Sequence, residues 1–135
     1  MGFSYLEHVS DVGFLAYGES IEEAFKSGAE ALLNIVFDLD TIGDDITVPI
    51  TAHAPAPELL FVESLNELIS ILDSEGLALK GIREVRISKE RDGYSFNATS
   101  YGEKFNADIH TVKCEVKGAT YSGLTYEVKE GTHRF

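Results

Sequence analysis

The chain has 135 residues, with 23 carboxylates against 11 lysines and arginines and a formal net charge of −12. That length fits one domain, which on folding buries roughly two thirds of the surface its unfolded chain exposes, enough for a core without staples. A surface this acidic argues against direct nucleic-acid binding, which draws its affinity from basic side chains on phosphates, and against anionic membranes; it suits cations or a basic protein partner.

The single cysteine, Cys114, excludes an internal disulfide. The opening MGFSYLEHVSD lacks the basic start and apolar run of a secretory signal. No apolar stretch approaches the ~18 residues needed to cross a bilayer, so the expected compartment is the cytoplasm.

Residues 3–9 and 12–17 read as two short extended segments on either side of Ser10-Asp11. Ser20-Ile21-Glu22-Glu23 is a capping-box pattern. Behind it Ile21, Ala24, Phe25, Ala29, Leu32, Leu33 and Val36 recur at helical spacing, which predicts a helix over about 21–37. Residues 38–45 form an acidic, turn-like stretch containing Gly43. Ile46, Val48 and Ile50 then alternate as in a half-buried strand. Pro57 suits the first position of a second helix, with Phe61, Leu65, Leu68, Ile69 and Leu72 as its stripe and its end near Gly76.

Ile82, Val85 and Ile87 open a strand that turns at Asp92-Gly93, a hairpin signal, and returns through Tyr94, Phe96 and Ala98. Residues 114–128 are again strand-like. Residues 129–132 look like a further hairpin turn, with His133-Arg134-Phe135 starting the returning strand. Three residues contribute little pairing, so the chain reads as one domain over 1–135 that stops short of its last residues. The expected fold is α+β: two helices packed on one face of a mainly antiparallel sheet, in two layers.

No glycine loop of the phosphate-cradling kind is present, and His8, Ser10 and Asp11 alternate along an extended segment, which disfavours a triad. His8, His110 and Cys114 form at most a weak soft-metal set. Carboxylates are better candidates. Asp11 falls where the chain must turn; it is either a turn residue bonding its own backbone or a ligand for a hard cation. Glu103 and Lys117, read from the residues alone, are more often solvated strand positions than functional ones.

The pieces acquire meaning in order. Glu7-His8-Val9-Ser10-Asp11-Val12-Gly13-Phe14 resembles the N-terminal motif of the archease family, His-Thr-Ala-Asp followed by an apolar strand. Ala16-Tyr17-Gly18 and Glu22-Glu23-Ala24-Phe25 are similar to that family's entry into its first helix. Leu65-Asn66-Glu67-Leu68-Ile69 with Asp73 and Glu75 resembles its second helix. Gly102-Glu103, then His110, then Glu115-Val116-Lys117-Gly118-Ala119-Thr120-Tyr121 resembles its later signature.

The resemblance spans essentially the whole chain. It implies a small α+β protein that binds calcium or a similar divalent cation and acts on a tRNA-splicing RNA ligase. That ligase joins 3′-phosphate or 2′,3′-cyclic phosphate ends to 5′-hydroxyl ends. The accessory factor promotes its guanylylation and its multiple turnover, and is not itself an enzyme. Carried over to this sequence, Asp11 is the metal ligand and Lys117 a functional residue near it, with His110, Glu115 and Glu103 in the same region. The sequence departs from the pattern in having Val9-Ser10 before the aspartate, Gly118 after Lys117, and no C-terminal aspartate to complete the metal site. Two rival classes stay open: a chaperone-like interaction module without a required metal, and a metal-dependent hydrolase using Asp11, Glu103 and His110.

Overall fold

The computed structural model describes residues 2–6, 13–110, 112, 126–129 and 131–135. His8, Asp11, Cys114, Glu115 and Lys117 lie outside the described residues.

β1 (Gly2–Leu6) and β2 (Gly13–Gly18) pair antiparallel, with Phe3 opposite Ala16. α1 (Ile21–Val36) follows, and its start is the capping arrangement the sequence predicts. The Ser20 hydroxyl accepts from the Glu23 N–H at 3.1 Å, while Glu23 reaches back to the Glu19 N–H at 3.0 Å, one residue before the cap. A short 3-10 turn (Leu39–Thr41) leads into β3 (Ile46–Ala54). α2 (Pro57–Glu75) starts on its proline, which needs no N–H partner, and stops at Gly76, whose φ of 62° is the left-handed conformation of a helix C-terminus.

β4 (Leu77–Glu90) begins at once, five residues before the start expected from Ile82. Leu77, Ala78 and Leu79 are all buried, so this stretch shows no alternation by which periodicity could find it. A two-residue turn at Arg91-Asp92 leads to β5 (Gly93–Lys104), antiparallel to both β3 and β4. The chain closes with β6 (Glu127–Lys129) and β7 (Thr132–Arg134).

The class is α+β, as expected, but among the described residues the strands divide between two antiparallel sheets, ordered β1-β2-β7-β6 and β3-β5-β4. The first joins the two ends of the chain, a long-range pairing that local patterns do not carry. α1 packs on β1 and β2 of one sheet and on β4 of the other, and α2 lies on the second sheet.

The terminal strand is short and pairs with β2 over only two residue pairs, but the residue after it is well anchored. Ala16 and Phe135 exchange both backbone hydrogen bonds, at 3.0 and 2.8 Å. The Phe135 ring is buried, stacked between Phe61 (4.6 Å between centroids) and Tyr126 (4.5 Å), with its edge contact to Phe25 at 5.0 Å. Packing rather than strand length holds it, because aromatic rings bring the largest burial per residue. A methyl group on Gly28 would collide with the Phe61 ring, which accounts for a glycine inside α1.

Candidate functional site

The described part of the site forms where β5 leaves its sheet. Gly102 lies so close to the Ala78 carbonyl that a Cβ could not be accommodated, and the β4–β5 register shifts beside it, between Leu79 and Gly81. The glycine of the Gly102-Glu103 pair is thus demanded by backbone approach. Glu103, next along the strand, directs its carboxylate to Gly43 in the loop after the 3-10 turn. A Cβ on Gly43 would stand 2.9 Å from Oε2, so the carboxylate lies against the Gly43 backbone.

After Lys104 the chain folds into a tight turn knitted by one residue. The Asn106 side-chain oxygen accepts from the Asp108 N–H at 2.9 Å. Its carbonyl accepts from the Ile109 and His110 N–H groups at 3.0 and 2.7 Å. Its own N–H donates to His110 Nδ1 at 2.9 Å. A backbone N–H can only donate, so Nδ1 carries the lone pair and Nε2 the proton. Nε2–H then donates to Glu103 Oε1 at 2.6 Å, a short charge-assisted bond.

The result is an anion fixed from two sides. The Gly43 N–H is the larger influence and the His110 bond the second; together they hold the Glu103 carboxyl below the ordinary carboxylate range, against partial desolvation. His110 is only 2% exposed, whereas the Glu103 side chain keeps 22% of its surface in water. Both ring nitrogens of His110 are engaged, which leaves no lone pair for general-base work and removes one leg of the hydrolase reading. One Glu103 oxygen is taken by the His110 N–H, and the other lies against the Gly43 backbone.

Beside the pair runs an apolar groove of about 320 Å³, lined by Val36, Phe37, Leu72, Leu77, Phe105 and Val112 among others. Phe105 joins groove to pair: its ring lies 5.8 Å from that of His110 and 6.3 Å from that of Phe37. Of the residues singled out in the sequence, the structure therefore unites Glu103 with His110. Asp11, Glu115 and Lys117 fall outside the described residues. Sequence reasoning missed Gly43 and Asn106. The Asn106-x-Asp108 spacing was a legible signal, since asparagine commonly closes such turns through its side chain; nothing local links Gly43 to Glu103.

A model of the Archease protein family matches residues 3–135. The chain belongs to the archease family. It is 32% identical over 129 residues to the protein archease of Methanosarcina mazei, covering 96% of this chain and 88% of that one. It is 34% identical over 125 residues to the protein archease of Pyrococcus abyssi, covering 93% and 87%. The solution structure of Methanobacterium thermoautotrophicum protein 1598 superposes with a TM-score of 0.84 at 25% identity, over 98% of this chain and 94% of that one. In this archease no helix among the described residues is long and apolar enough to cross a membrane.

Proposed function

We propose that this archease is a protein accessory factor for a tRNA-splicing RNA ligase, not a free-standing enzyme, and that it promotes the ligase's guanylylation and multiple turnover. The match to the family over residues 3–135 is the observation that carries the reading. Two features support it. The net charge of −12 suits docking on a basic, RNA-handling partner, where complementary charge speeds and orients encounter. The Glu103–His110 pair offers an oriented anion with no free base, as expected of a recognition feature rather than a reaction centre.

In this reading Asp11 holds a hard divalent cation, Ca2+ foremost, because a carboxylate oxygen is the donor such ions prefer. The bound cation supplies a positive centre for phosphate or carboxylate oxygens at the ligase's active-site region. Lys117 contacts a phosphate or acidic group there, with Glu115, His110 and Glu103 flanking it.

The test is guanylylation of the cognate ligase from GTP at limiting metal, with and without the archease. Wild-type protein stimulates the reaction, and a folded Asp11→Ala variant does not. Full stimulation by that variant would remove the metal from the account, and absence of any wild-type effect would remove the ligase. The second reading, a chaperone-like interaction module needing no metal, has the apolar groove beside Phe105 in its favour. It predicts that Asp11 is dispensable and that aggregation of unrelated proteins is suppressed.

A further inference from the structure

A second cluster of metal-ligating side chains lies outside the Glu103 corner, at the hairpin end of the β3-β5-β4 sheet. The register places His53 of β3 opposite Ser95 and Glu90 of β4 opposite Gly93, with β5 between them. Asp92 occupies the two-residue turn that joins β4 to β5. Strands flanking a central one stand roughly 9.6 Å apart, two strand spacings, so side chains from both meet only if the middle strand leaves room. Here it does. Positions 93 and 95 share the face of His53 and Glu90 by alternation and are glycine and serine.

The frame beneath is fixed. Gly93 has φ of 146°, and a Cβ there would lie 2.6 Å from the Ala54 carbonyl, so the hairpin is clamped against the end of β3. His53 Nε2 stands 3.7 Å from Glu90 Oε2. That is too long for a hydrogen bond. It is close to the roughly 3.4 Å that separates two ligands on one tetrahedral ion with ~2.1 Å bonds. One ligand atom from each of His53, Glu90 and Asp92 falls within 4.8 Å of the other two, so small rotamer changes close the set.

We propose that His53, Glu90 and Asp92 form a surface site for a first-row divalent cation of the zinc class, with water completing the coordination. One imidazole nitrogen and two carboxylate oxygens make a donor set suited to Zn2+ and its neighbours, whereas Ca2+ takes oxygen ligands alone. The site is thereby chemically distinct from the Ca2+ reading of Asp11 and independent of the ligase proposal. Among the described residues the other histidines compete poorly. His110 has both nitrogens engaged, and His133 Nδ1 is bonded to the Tyr126 hydroxyl at 2.8 Å.

The test is a Zn2+ titration of the full chain in saturating Ca2+, followed by calorimetry and by the histidine ring signals in NMR. The His53 signals shift and saturate at one equivalent, and His53→Ala and Asp92→Asn each weaken binding tenfold or more while circular dichroism is unchanged. His53 signals that stay still through one equivalent, or a His53→Ala variant that binds Zn2+ as tightly as wild type, would overturn the site.

Discussion

Around Phe25 the packed rings come from four distant parts of the chain: α1, Phe61 of α2, Phe96 of β5 and Phe135 beyond β7. Around Glu103, its partner His110 and the Asn106 that holds His110 lie within residues 103–110, and among the described residues Gly43 comes from afar. The first region is apolar, buried and dependent on the whole fold being assembled. The second is polar, half-open and set mostly by one local turn. The first concentrates long-range apolar burial, whereas the second fixes one anion at the surface through a few directional bonds.

The comparison can be broken from either side, and the core should give the largest effect. Phe61→Ala removes a ring that touches Phe14, Phe25 and Phe135, and should cost about 3–5 kcal/mol in a urea melt. A loss below 1 kcal/mol would mean that the aromatic cluster is not the structural centre. Gly28→Ala comes next. Helix propensity alone favours alanine by up to ~1 kcal/mol, yet the methyl collides with Phe61, so a net destabilisation of about 1–3 kcal/mol is expected. A stabilised Gly28→Ala would show that the ring has room to move.

At the corner, His110→Ala removes a buried ring together with its hydrogen bonds to the Asn106 N–H and to Glu103, and should cost about 1–3 kcal/mol, measured by thermal unfolding at neutral pH. The smallest effect concerns Glu103. Its folded pKa lies below the unfolded value of about 4.3, so its contribution is present above that value and lost as pH falls through the folded pKa. Glu103→Gln should therefore flatten the acid side of a Tm-against-pH profile, and an unchanged profile would contradict a carboxylate held as an anion beside His110.

Much of this was legible in the sequence, and the rest was not for identifiable reasons. Ser20 and Glu23 announced α1, and Pro57 and Gly76 bracketed α2, because caps and helical stripes are local signals. The start of β4 at Leu77 was hidden by a run of buried residues without alternation. The division into two sheets, and the anchoring of Phe135, rest on pairing between the chain's ends. At the site, order along the chain brought Glu103 and His110 to notice. The buried imidazole, its tautomer and the Gly43 contact depend on the fold.

The central claim is that the Glu103 corner serves the partner rather than the fold, and one variant tests it most directly. Multiple-turnover ligation by the cognate RNA ligase is measured with wild-type archease and with Glu103→Gln, alongside the Tm of each at neutral pH. The account predicts a neutral-pH Tm lowered only by the small contribution of the Glu103 charge, and a stimulation largely lost in the variant. Full stimulation by a folded Glu103→Gln protein would contradict it.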